Sequence, residues 1–252
     1  MHAPVAKPRR YEPIVRHLEE AMLAGELAPG DRLPSERELM AAFGVGRGSV
    51  REALFALRKM GLVALSPGER AYVTRPNARD MVRELSGAAR QLLAAPDGVR
   101  HFQEARQLLE CALAREAATR ATPDTLRLLH VAMEEHRTAR DQDRAIAADV
   151  LFHYRIAEMS ANPVLGALHA ALGEWLREQR ATSVQVSGAK KAAEQAHRLV
   201  YAAIAARNAD AAALAMREHL DEVEAYYWRA AAPGSPAAGV GHKRRPPAGA
   251  RS

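Results

Sequence analysis

Cysteine is almost absent. Cys111 is the one such residue among 252, so no disulfide can close within the chain, and a reducing, cytoplasmic setting is expected. Long uncharged apolar runs are missing as well, which excludes a transmembrane helix and gives no reason to expect a membrane partner. The first ten residues have no apolar stretch of the kind a secretory signal needs. Acidic residues are missing from positions 233–252, which hold four Lys/Arg against none. No internal repeat is visible.

What is present is a chain long enough for one or two domains, with an ordinary 48% of apolar residues. Charge is uneven along it. Residues 1–76 hold 12 Lys/Arg against 9 Asp/Glu, and residues 77–232 hold 20 against 21. Both ends are basic and the middle is neutral. That suits a nucleic-acid-facing N-terminus joined to a domain with another task, although such an excess is also ordinary for a protein surface.

The pattern divides the chain into a flexible N-terminus (1–10), a DNA-binding domain (11–75), a helical domain (76–232) and a Pro/Gly-rich basic tail (233–252) expected to be disordered. The first helix is expected from Pro13 to Ala24, with Gly25 as its stop. Ser35 and Glu38 form a capping box at the start of a second helix that ends near Phe43-Gly44. A third starts about Gly48–Ser49 and runs to Met60, followed by Gly61. Two short strands then flank Pro67-Gly68. Three helices and a hairpin make a winged helix-turn-helix, with Leu39, Phe43, Val50, Leu54 and Leu57 as its core. Beyond the linker Arg75-Pro-Asn-Ala78, helical periodicity predicts seven helices, near 79–94, 98–120, 123–140, 143–161, 163–182, 189–206 and 209–230. The fold class is mainly α: the winged helix plus an antiparallel all-helical bundle with room for a cavity.

A recognition helix meets the major groove with its N-terminal end, where free N–H groups and the helix dipole favour phosphate. Arg47, Ser49 and Arg51 occupy that end, and Arg37 lies in the first turn of the preceding helix. Arginine is suited to bidentate contact with guanine. Gly68 lets the wing backbone approach the minor groove closely. Any one of these arginines alone is more often a solvated surface residue. The ordered set points to double-stranded operator DNA.

In the helical domain Asp149 and His153 share one helix face at i,i+4. His197 and His219 fall on the sixth and seventh helices of the domain. One carboxylate and three imidazoles from three helices suit a divalent metal, Zn²⁺ first, with positions left for a ligand. A metal with a purely structural role remains open, as does, much less favoured, a metal-dependent hydrolase. No general acid or base accompanies the cluster, so an enzyme is not expected. Isolated histidines on amphipathic helices are usually surface or hydrogen-bonded residues, and His130, His136 and His169 are assigned so.

The runs Pro34-Ser-Glu-Arg-Glu-Leu39, Gly44-Val-Gly-Arg-Gly-Ser-Val-Arg-Glu-Ala-Leu54 and Gly61-Leu-Val63 resemble the GntR family of bacterial transcription regulators. The resemblance implies that Arg37, Arg47, Ser49, Arg51 and Gly68 contact the operator. Gly48 departs from the Thr or Pro frequent in that family, which leaves the preferred bases open. Asp149-Val-Leu-Phe-His153, Asn162-Pro163 and the later pair His197 and His219 are similar to the FCD effector domain of the FadR subfamily. That resemblance implies metal binding by these four residues and an effector carboxylate paired with Arg106, where an intrahelical ion pair with Glu110 is the plainer alternative. Ala161 stands where the family usually has Gly. A narrower set, including Glu84-Leu-Ser-Gly87, Pro96-Asp-Gly98, His101-Phe102 and Trp175-Leu176, is similar to the sialic-acid-responsive repressors of that subfamily. It implies a homodimeric repressor released by an acidic small molecule, with N-acetylneuraminate as the first candidate and other sugar acids, hydroxy acids or dicarboxylates as alternatives.

Overall fold

The computed structural model describes residues 9–65, 70–75 and 77–232. Gly68, the tail 233–252 and residues 1–8 lie outside the described residues. The chain divides into two compact units, Met1–Leu85 and Ser86–Ser252.

In the first unit, helix α1 (Glu12–Leu23) carries Pro13 in its first turn, where a missing N–H costs nothing. Helix α2 (Glu36–Phe43) starts from the expected capping box. Glu38 N donates to Ser35 Oγ at 3.2 Å, and Ser35 N donates to Glu38 Oε2 at 2.7 Å. Gly44 closes α2 with φ 61°, a left-handed conformation that favours glycine. Helix α3 (Arg47–Lys59) follows after two residues. Strands β1 (Val63–Ala64) and β2 (Tyr72–Val73) pair antiparallel with Val63 opposite Val73, and Arg32 adds a single bridge to Tyr72. A short helix, α4 (Ala78–Arg83), ends the unit, capped by Asn77. Ile14, Leu18, Leu33, Leu39, Val50, Leu54, Leu57, Val63 and Val73 form one core. Phe43 packs at its margin, only partly buried. This is the expected winged helix.

The second unit is helical throughout: α5 (Ser86–Leu93), α6 (Gly98–Arg120), α7 (Pro123–Thr138), α8 (Gln142–Glu158), α9 (Pro163–Trp175), α10 (Arg177–Ser183), α11 (Ala189–Ala205) and α12 (Ala209–Ala231). Short connections such as Ala121-Thr122 turn neighbouring helices back on one another. The centre is built from small residues, Ala114, Ala117, Ala118, Ala132, Ala157 and Ala212, around Phe152, Leu129, Ile156, Val200, Ile204 and Met216. Alanines let the helices approach closely.

Two of the seven expected helices are broken. The span 79–94 divides into α4 and α5, and the span 163–182 divides at Leu176, whose φ −94° and ψ 17° leave the helical basin. Trp175 Nε1 donates to Ser86 Oγ at 3.3 Å, which joins residues beside the two breaks. Glu84-Leu-Ser86 and Trp175-Leu-Arg177 contain no glycine or proline, and packing overrides local propensity here.

Two non-glycine residues have left-handed backbones, Ala161 (φ 52°) and Arg207 (φ 56°). Arg207 is held by its guanidinium, which donates to Ala121 O at 2.6 Å and Thr119 O at 3.3 Å, closing the C-terminal end of α6. Ala161 has no comparable anchor in its methyl group. It follows α8 and precedes Asn162, whose Oδ1 accepts from Val164 N and Leu165 N to start α9.

The Cβ of Ala161 in this conformation costs ~1–2 kcal/mol, against a smaller entropic penalty of about 0.5 kcal/mol for glycine. Ala161→Gly is therefore expected to stabilise the protein by up to about 1 kcal/mol. Urea unfolding of both chains checks this, and an unchanged or lower midpoint would show Ala161 to be unstrained.

Candidate functional site

The first unit presents the N-terminal end of α3. Arg47 and Arg51 are exposed there and Ser49 is partly so, while Arg37 is exposed in the first turn of α2. Glu36, in the first turn of α2, stands between two of the arginines. Its Oε1 lies 3.0 Å from Arg51 Nε and its Oε2 3.5 Å from Arg47 Nε. Arg47 and Arg51 are thus brought together by a carboxylate that sequence reasoning did not assign.

In the second unit, α8 carries Asp149 and His153 one turn apart, α11 carries His197 and α12 carries His219. Their ligand atoms all lie within 4.8 Å of one another. His153 Nε2 is 3.2 Å from His219 Nε2, and Asp149 Oδ1 is 3.4 Å from His197 Nε2 and 3.8 Å from His153 Nε2. Bonds of about 2.0–2.2 Å to one ion place ligand atoms about 3–4 Å apart, and these separations match. His197 is fully buried, and among the described residues neither of its ring nitrogens has a hydrogen-bond partner. An unpaired buried nitrogen is costly, and a shared cation would satisfy it. Phe152 stacks on the His197 ring at 4.0 Å between centroids and fixes its plane. The donor set therefore fits a divalent metal.

Arg106 and Glu110 enter from α6. Arg106 Nε donates to Glu110 Oε1 at 2.6 Å, so the intrahelical pair exists. Arg106 also lines a cavity of about 270 Å³, so pairing and cavity placement coexist. The cavity wall further includes Asp149, His219, Arg180, Lys190 and Tyr226. Arg180 Nε stands 3.1 Å from Asp149 Oδ2, so two buried guanidiniums flank the cluster.

The charge states follow from these contacts. Burial opposes ionisation of Glu110, yet Arg106 and His153 outweigh it and hold the carboxyl well below its usual range. Burial opposes ionisation of Asp149 too, and His197, His153 and Arg180 hold it well below its usual range. Burial pushes His219 well below the usual imidazole range, helped by His197 and His153. Burial also lowers His153, against the pull of Glu110 and Asp149. The carboxylates are charged while these imidazoles are neutral, the state a metal ligand requires.

Of the histidines assigned to surface or hydrogen-bonded roles, His130 is exposed. His136 and His169 are buried within the site instead. His136 lines the cavity beside His197, ring centroids 4.9 Å apart, and His169 Nε2 is 3.6 Å from Glu110 Oε1. Glu110 and Arg180 were not singled out as site residues either. Glu110 had a trace in sequence, its i,i+4 spacing from Arg106. Arg180 had none, because Arg177-Glu-Gln-Arg180 reads as a solvated helix face until the break at Leu176 turns it inward.

Among the described residues no helix is long and apolar enough to cross a membrane. Residues 10–73 match the gntR family of bacterial regulatory proteins, and residues 101–222 match the FCD domain. The HTH-type transcriptional repressor NanR of Klebsiella aerogenes is 41% identical over 90% of this chain and 88% of its own length. The repressor of the same name from Escherichia coli K12 is 40% identical over 88% and 86%. The solved structure of Streptococcus agalactiae GntR aligns with a TM-score of 0.65 at 27% identity, covering 85% of this chain and 99% of that one. The chain belongs to the gntR family of bacterial regulatory proteins and is a DNA-binding transcription regulator with a C-terminal FCD domain.

Proposed function

We propose that this regulator is a homodimeric repressor that leaves its operator when a sugar acid binds the cavity of the FCD domain. The observation that carries the reading is the pairing of Arg106 and Arg180 on a cavity wall that also includes Asp149 and His219. Two guanidiniums beside a cation-binding cluster favour a carboxylate ligand. N-acetylneuraminate is the specific candidate, supported by the sequence resemblance to sialic-acid-responsive repressors and by the NanR relatives, which are named repressors.

Asp149, His153, His197 and His219 would hold the metal, with Zn²⁺ first by donor set. The bound ion would supply positive charge at the cavity floor. Arg106 and Arg180 orient the acid, and Lys190 and Tyr226 offer hydrogen bonds to its hydroxyls. Arg37, Arg47, Ser49 and Arg51 contact the operator, with Gly68 in the wing, and two copies of the chain read neighbouring half-sites. The acid releases DNA only insofar as it binds the DNA-free arrangement more tightly than the DNA-bound one.

Arg51→Ala is expected to weaken binding to an operator fragment about tenfold or more, the worth of a base contact of ~1–3 kcal/mol. Fluorescence anisotropy at fixed salt measures it, and unchanged affinity would remove Arg51 from the interface. N-acetylneuraminate is expected to raise the melting temperature of the Zn²⁺-loaded protein by mass action. That shift should shrink after chelation and in Arg180→Ala. An equal shift with and without metal would exclude the metal from the acid site.

A further inference from the structure

Glu110 is 3% exposed and belongs to no part of the four-residue cluster. A carboxylate this deep is expensive unless every oxygen is matched. The two oxygens divide their work. Oε1 takes Arg106 Nε at 2.6 Å, with His169 Nε2 at 3.6 Å. Oε2 stands 2.5 Å from His153 Nδ1, a charge contact not aligned as a hydrogen bond, and neither atom has another partner among the described residues. An ion pair serving stability alone would be complete with Arg106. The contact of the second oxygen with His153 needs a separate reason.

His153 supplies one. Its ring is buried, and its Nε2 faces His219 Nε2 at 3.2 Å and Asp149 Oδ1 at 3.8 Å. Only one ring nitrogen can face the cluster, and a neutral imidazole carries its proton on the other. A carboxylate against Nδ1 draws the proton there and leaves the Nε2 lone pair facing inward. We propose that Glu110 is a positioning residue: its carboxylate fixes the ring direction and tautomer of His153, and it ties that ring to Arg106 on the cavity wall. Arg106 orients Glu110, Glu110 orients His153, and the acid site and the metal site share one rigid connection through α6.

This inference rests on the reading that Asp149, His153, His197 and His219 hold a metal, and the experiment separates the two. Full-length protein is stripped of metal and titrated with Co²⁺, followed by its visible ligand-field absorption. The wild type is expected to bind with a defined spectrum. Glu110→Gln is expected to bind Co²⁺ 10–100-fold more weakly, the usual loss when a partner behind a ligand is removed, with displaced bands. Glu110→Asp, which keeps the charge, should recover part of the loss. A wild type that binds neither Co²⁺ nor Zn²⁺ would overturn the metal reading itself. Binding by the wild type with the same affinity and spectrum in Glu110→Gln, even with a lower melting temperature, would overturn the role of Glu110 alone. Nitrogen NMR of the Zn²⁺-loaded wild type gives a result that does not depend on the variant folding. His153 is expected to be ligated through Nε2 and protonated at Nδ1, and ligation through Nδ1 would overturn the proposal.

Discussion

The helical unit is arranged around two carboxylates that it can barely accommodate. Glu110 and Asp149 lie among seven buried basic side chains: Arg106, Arg180, His136, His153, His169, His197 and His219. An unpaired carboxylate at that depth would be protonated or would unfold the bundle. Each acid instead takes one guanidinium from a different helix turn, Arg106 for Glu110 and Arg180 for Asp149. With the negative charge matched by arginine, burial keeps His153 and His219 neutral with their lone pairs free. The break at Leu176, the fixed ring of His197 under Phe152 and the close alanine packing all serve to deliver those few polar groups to one point.

Sequence reasoning reached the winged helix because every part of it is written locally. Ser35 and Glu38 mark a helix start, Gly44 a left-handed stop, and Val63 and Val73 alternate across a hairpin. It reached Asp149 with His153 for the same reason, since i,i+4 spacing is a local rule. His197 and His219 came from donor chemistry on two further helices, and the resemblance added weight, because nothing local says that three helices converge. The remaining polar members of the site were hidden by kinship with surface residues. Arg180 sits in a charged heptamer, and His136 closes an unremarkable amphipathic helix. Their inward direction depends on helix breaks and on packing between elements far apart in the chain, which periodicity does not encode.

The two units solve opposite electrostatic problems. The helical unit hides charge by pairing it in a low-dielectric interior, where contacts are strong and weakly screened. The winged helix keeps its arginines exposed at the end of α3, where water and salt compete for them.

Glu36 has a consequence for any polyanion that meets the winged helix. Arg47 and Arg51 share that one carboxylate, so the pair carries a net charge nearer one than two. Binding of DNA is weakened by salt in proportion to the phosphates neutralised, with a slope of about −0.9 per phosphate. A phosphate that takes either arginine must first compete with Glu36, whose own place is stabilised by the positive end of the α2 dipole. The ionic-strength dependence of association should therefore undercount the arginines on this face.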